Sequence, residues 1–264
     1  MTIAPSNVTD RIVDVAGSGI RLLEGGSGQP LLLLHHSTGS AGWLPLYERL
    51  AESFSVMVPD LPGYGQSMRP AWAREPRDLA ILMHQLLDSQ GLDQAVLVGS
   101  GFGGFIAAEM ATMNQQRLSR LVLIGAAGIR PNEGEILDQM MLPHVDYLKA
   151  GFSDDDSFER HFSAEVSPEV AELWDFSREM TARLTWKPYM FNLRLVHLLA
   201  GVPTPTLLVW GEHDRVIPLD CGRQYENALP NARLEVLQGA GHAVDIEQPE
   251  ALARLIVSHT EVAE

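Results

Sequence analysis

Gly99-Ser100-Gly101-Phe102-Gly103 joins an apolar run to an apolar helical pattern. Small residues around a central position let a strand double back into a helix, with the central side chain held out from the tip. This is the spacing of a nucleophile elbow, whose tip normally carries the attacking oxygen or sulfur. Here the tip is Gly101. Ser100 lies one residue early, and neighbouring positions on a tight turn point in different directions. Cys221, the single cysteine, falls on a late helical pattern well removed from the turn. Glycine is the least demanding residue at a strained tip, so folding tolerates the loss of a side chain there.

The elements that must position such a turn are legible. Arg11 to Val15 alternates, Gly17-Ser18-Gly19 turns, and Ile20 to Leu23 returns, the pattern of a strand pair. Pro30 to Leu34, Phe54 to Val58, Ala95 to Val98, Leu121 to Ile124, Thr206 to Trp210 and Leu234 to Leu237 are apolar runs. Such runs fit strands covered on both faces of a parallel sheet. Between them, Arg77 to Gln90 places Leu79, Leu82, Met83, Leu86 and Leu87 on one helical face. Phe102 to Met113 is apolar nearly all round, as for a helix against a central sheet. Pro249 opens a last helix with Leu252, Leu255 and Ile256 inward. Alternating strands and helices predict a doubly wound α/β sheet.

The alternation stops between residues 130 and 202, where helical patterns follow one another. Ser153 before Asp154, Asp155 and Asp156 predicts an N-cap with acids on the helix dipole. The alternative for those acids, a metal site, suffers because consecutive helix positions do not face each other. Ser167-Pro168-Glu169 opens another helix in the same way. His144, His161 and His197 show no metal-ligand spacing, so no metal is expected. No cofactor is expected either, because the glycine-rich turn lacks the Lys-Ser/Thr ending of a phosphate loop.

The chain has 264 residues and a formal net charge of −15, which disfavours nucleic acid as a partner. A lone cysteine excludes an intrachain disulfide. Met1-Thr2-Ile3-Ala4-Pro5 has neither the charge nor the apolar stretch of a secretory leader, and no run suffices to cross a bilayer. A cytoplasmic monomer or homodimer without membrane contact is the expectation.

Five segments carry a family resemblance. Leu34-His35-His36-Ser37-Thr38-Gly39, Asp60-Leu61-Pro62-Gly63-Tyr64-Gly65-Gln66-Ser67, the elbow, Gly211-Glu212-His213-Asp214 and Gly239-Ala240-Gly241-His242 stand in register with landmarks of the α/β-hydrolase superfamily. The chain resembles that superfamily over essentially its full length. The resemblance implies a mostly parallel eight-stranded sheet flanked by helices, with a helical cap inserted after the sixth strand. The core would be residues 1–129 and 203–264, and the cap 130–202. It assigns Asp214 as the acid that orients His242, whose other ring nitrogen is then free for proton transfer. It assigns the backbone amides of Ser37 and Phe102 as oxyanion donors, and Gly101 as the nucleophile position. His36 departs from the family's usual glycine. Its side chain would narrow the pocket, offer a second proton donor, or simply pack in its loop.

His36, Ser100, Trp174, Trp186 and Tyr189 are the candidates for substrate contact. The expected substrate is a small, partly apolar carbonyl- or ester-type molecule. Three explanations of Gly101 stand side by side: a serine enzyme with its nucleophile removed, chemistry run by the His242–Asp214 dyad without covalent catalysis, or a retired hydrolase that binds a ligand. Under the second, lyase or carbon–carbon cleavage chemistry with His242 as general base is an alternative to hydrolysis.

Overall fold

The computed structural model describes residues 7–40, 42–162 and 168–261. Met1 to Pro5 and Ser167, read above for a leader and a helix cap, lie outside them. Eight strands form one sheet: β1 (Thr9–Val15), β2 (Ser18–Gly26), β3 (Gln29–Leu34), β4 (Phe54–Pro59), β5 (Ala95–Ser100), β6 (Leu118–Ile124), β7 (Thr206–Gly211) and β8 (Ala232–Leu237). Their order is β1-β2-β4-β3-β5-β6-β7-β8. β1–β2 and β2–β4 pair antiparallel, and every later pairing is parallel. Five of the six apolar runs thus form the central strands β3 to β7, where both faces need cover, whereas Leu234 to Leu237 lies in the half-buried edge strand β8.

The two faces sort the residues of each strand by period two. Leu32 and Leu34 of β3 join one apolar cluster, and Leu31 and Leu33 join the other. The first cluster is covered by α2 (Pro76–Ser89) and α3 (Phe102–Met113), through Leu79, Met83, Phe105 and Ile106. The second is covered by α1 (Pro45–Ala51), through Leu46, Tyr47 and Leu50. α3 is buried from Phe102 to Ala111, as its composition requires. The exception in its sequence, Glu109, is 1% exposed and is held by Arg77 at 2.6 Å and by the amide of Asn192 at 2.7 Å.

Between β6 and β7 come α4 (His144–Ala150), α5 (Asp155–His161), α6 (Pro168–Thr185) and α7 (Leu195–Leu198), and after β7 come α8 (Leu219–Ala228), α9 (Val244–Glu247) and α10 (Pro249–Glu261). α10 turns Leu252 and Ile256 into the second cluster, with Leu255 packed at its border. One expectation is corrected in α5. Asp154, not Ser153, caps the helix, accepting from the Ser157 amide at 2.7 Å. Ser153 is engaged elsewhere: its amide and hydroxyl both donate to Glu247 Oε1, at 3.0 and 2.7 Å. Glu247 Oε2 also accepts from Gly241 N at 2.6 Å, so one carboxylate ties the loop before His242 to the helical region.

Candidate active site

The elbow is built as a strand end running straight into a helix. β5 ends at Ser100, Gly101 has φ 55° and ψ −113°, and Phe102 begins α3. That φ lies where side-chain-bearing residues are strained. Three backbone bonds pin the tip: Gly101 N donates to Ile124 O at 2.9 Å, and Gly101 O accepts from Ala127 N and Phe105 N at 3.0 and 3.2 Å. The turn therefore keeps its elbow geometry without a side chain at its apex.

Two loops at the ends of neighbouring strands deliver the dyad. Asp214 follows β7, and its Oδ1 accepts from the amides of Val216 and Ile217 at 2.9 and 2.8 Å. Its other oxygen, Oδ2, lies 2.8 Å from His242 Nδ1. An ionised carboxylate only accepts, so Nδ1 carries the proton and Nε2 is left open. Both side chains are nearly sealed, at 9% and 1% exposure for His242 and Asp214. Room for the pair depends on Gly125, which follows β6 with φ 50°. A Cβ there would stand 2.9 Å from His242 Nδ1 and 3.1 Å from Asp214 Oδ2.

The loop after β3 carries two histidines with opposite surroundings. His35 is locked: its Nδ1 donates to His36 O at 2.7 Å and its Nε2 accepts from Leu61 N at 2.9 Å. One donor and one acceptor define the neutral ring, and burial pushes the pKa of His35 down. His36 instead lies 3.2 Å from Asp245 Oδ1 through Nε2. Burial opposes its charge, but the charge of Asp245, the hydrogen bond and the charge of Asp214 more than offset this and raise its pKa. Burial likewise opposes the charge on Asp245, yet His36 outweighs it and the carboxyl pKa falls. Nδ1 of His36 is buried and without a hydrogen-bond partner among the described residues.

The His36 and His242 rings meet edge to face, with centroids 4.9 Å apart. They converge on the elbow tip. A Cβ built on Gly101 would lie 2.6 Å from His36 Nδ1 and 3.0 Å from His242 Nε2. The space that a side chain at 101 would fill is thus met by an imidazole entering from 36. Sequence reading singled out both residues, but not their contact.

A cavity of about 100 Å³ opens beside this pair, lined by His36, Ser37, Tyr147, Trp174, His242 and Asp245 among others. Trp174 stacks on His144 at its rim, with ring centroids 4.7 Å apart. Ser37 Oγ donates to Gln139 Oε1 at 3.1 Å and sits 3.4 Å from the Tyr147 hydroxyl, whose pKa burial pushes up to about 12. The Ser37 and Phe102 N–H groups make no hydrogen bond to the described residues.

Three expected contact residues lie elsewhere. Ser100 is fully buried at the end of β5, its Oγ without a hydrogen-bond partner among the described residues, and it does not line the cavity. Trp186, near the end of a helix whose apolar face is turned inward, is 71% exposed. Tyr189 accepts from Gln139 N at 3.0 Å and braces the turn after Leu137 from behind. Conversely, sequence reading missed Asp245 and Tyr147. The only signal for Asp245 was its position three residues after His242, one helical turn onward on α9.

Fold and site together define an α/β-hydrolase. The alpha/beta hydrolase family model matches residues 31–255, and the chain belongs to that family. It is similar to 2-hydroxymuconate semialdehyde hydrolase of Pseudomonas sp. (strain CF600), at 30% identity over 96% of this chain and 95% of that protein. It is also similar to 2-hydroxy-6-oxo-2,4-heptadienoate hydrolase of Pseudomonas putida, at 29% identity over 93% and 94% of the two chains. Among solved structures, 2-hydroxy-6-oxo-6-phenylhexa-2,4-dienoate hydrolase from Rhodococcus sp. strain RHA1 superposes with a TM-score of 0.77. That comparison covers 97% of this chain and 99% of the other at 21% identity, and it shows the shared fold. No helix among the described residues is long and apolar enough to cross a membrane.

Proposed function

We propose that this protein is a hydrolase-type enzyme that works without a serine nucleophile, with His242 as general base, Asp214 as its orienting carboxylate, and the Ser37 and Phe102 amides as oxyanion donors. The observation that carries the reading is the retained dyad. Nδ1 of His242 is held by Asp214 at 2.8 Å, and Nε2 faces the elbow tip 3.0 Å from the Cβ position of residue 101. A protein kept only for binding has no need of an oriented tautomer there, so the dyad favours an enzyme over a retired one.

The contact between His36 and the tip bears on the origin of Gly101. A serine there would press its Cβ against His36 Nδ1 at 2.6 Å, tighter than real contacts allow. The glycine fits this chain's own loop, which favours a natural variant over a removed nucleophile. The expected substrate is a small, partly apolar carbonyl or ester compound. Phe152, Phe162 and Trp174 give the cavity its apolar wall, and no Arg or Lys lines it among the described residues. A neutral molecule suits that lining better than a carboxylate does. Carbon–carbon bond hydrolysis is the second reading, favoured by the names of the relatives, and it would use the same histidine.

Substituting His242→Ala tests the proposal. Turnover of p-nitrophenyl acetate, and of neutral 1,3-dicarbonyl compounds for the second reading, should fall by about 10²–10⁴-fold, the usual contribution of general acid–base catalysis. Unchanged turnover in the folded variant would refute it.

A further inference from the structure

His36 and Asp245 form a second imidazole–carboxylate pair that mirrors His242 and Asp214. In each pair one ring nitrogen faces a carboxylate oxygen, at 3.2 and 2.8 Å. In each the other nitrogen faces the same point above Gly101, at 2.6 and 3.0 Å. That point is a carbon position bonded to Gly101, so it marks the side on which the two nitrogens converge and not the seat of a bound oxygen. The nitrogen on the His36 side is buried and unpartnered among the described residues, a costly state unless something is bound there. Resting on the hydrolase reading above, we propose that His36, held by Asp245, is a second catalytic residue, and that its Nδ1 and His242 Nε2 jointly bind the water that attacks the substrate.

With both rings neutral, each open nitrogen accepts one hydrogen of the water, and the oxygen keeps its lone pairs for the substrate. His242 Nε2 takes one proton as the water oxygen bonds to the carbonyl carbon. The carbonyl π pair moves onto its oxygen, between the Ser37 and Phe102 amides. Collapse re-forms the carbonyl and breaks the bond to the leaving group, which takes the proton back from His242 Nε2. One water is consumed and both rings end neutral. Throughout, His36 accepts from the second hydrogen of the water and fixes its orientation. The His36 and His242 ring centroids lie 4.9 Å apart, so a positive charge on one would disfavour a proton on the other.

Protonated His36 would turn its acceptor into a donor and block this arrangement. The charged or titratable groups facing His36 are Asp245 on α9, Asp214 from the loop after β7, His242 from the loop after β8, and neighbouring His35. Asp245 and Asp214 favour its proton, whereas the neutral His35 ring adds none. Activity should therefore rise with pH through a limb set above the usual histidine value.

The test uses p-nitrophenyl acetate with His242→Ala, His36→Phe, His36→Gln and Asp245→Asn, each checked for folding by circular dichroism. His36→Phe, which fills the space but accepts no hydrogen bond, should lower kcat/KM by about 10–100-fold. His36→Gln should recover part of this through its amide oxygen and move the acid limb to lower pH. Asp245→Asn should move the limb the same way. Histidine ¹⁵N resonances give a readout independent of turnover: His36 should titrate at higher pH in His242→Ala, and at lower pH in Asp245→Asn. Full activity in His36→Phe, or a His36 titration indifferent to both changes, would overturn the inference while leaving the hydrolase reading intact. Full activity in His242→Ala would instead overturn the reading on which it rests.

Discussion

The two imidazole–carboxylate pairs at the elbow differ in how firmly they are built. Asp214 is fixed by two backbone amides and a histidine, with both oxygens engaged, and Gly125 opens the space the pair requires. The His36–Asp245 contact is longer, at 3.2 Å, and joins a loop after β3 to a single-turn helix after β8. The first pair is a rigid part of the sheet's strand-end architecture. The second has the room it needs because residue 101 carries no side chain: a Cβ there would lie 2.6 Å from His36 Nδ1.

The sharpest way to break the first pair without touching either member is Gly125→Ala. Its Cβ would meet Nδ1 at 2.9 Å in a left-handed backbone that costs about 1–2 kcal/mol. Turnover of p-nitrophenyl acetate should drop by about 100-fold or more, since misplacement by about 1 Å has that effect. Wild-type rates in that variant would mean that the dyad geometry is not needed.

A smaller effect separates the second pair by pH. The pKa of His36 is raised above its usual 6.5, so its contribution to stability is complete below 6.5 and fades as pH rises through the raised value. The carboxyl of Asp245 is lowered from 3.8, so its contribution is complete above 3.8 and fades as pH falls through the lowered value. The pair is therefore most stabilising between these limits. Thermal denaturation should show a larger Tm gap between wild type and His36→Gln near about pH 5 than near about pH 9. A gap independent of pH would remove the charge from this contact.

The strands, and α3 to the residue, were legible in the sequence, because apolar period and strand-end glycines are local signals. Asp214 and His242 are read from short glycine-flanked segments. Their hydrogen bond agrees with that placement. Asp245 was hard to read, because its partner is 209 positions away and the one local sign is its place three residues after His242. Trp186 and Tyr189 misled for the same reason: an aromatic residue announces burial or contact, but only packing decides against what. Ser153 was mistaken for a cap because it precedes three acids, while a distant carboxylate, Glu247, claimed it.

His36 Nδ1 stands 2.6 Å from where a Cβ at residue 101 would lie, so an attacking side chain fits the elbow only if His36 is removed or displaced. The most direct measurement is the pre-steady-state burst of p-nitrophenol from p-nitrophenyl acetate in Gly101→Ser, alone and combined with His36→Gly. Overpacking should lower the stability of Gly101→Ser by about 1–3 kcal/mol, and that variant should show no burst. The double variant should show a burst approaching one equivalent of enzyme, with an acetyl adduct at position 101. A full burst from Gly101→Ser alone, at unchanged Tm, would contradict the account.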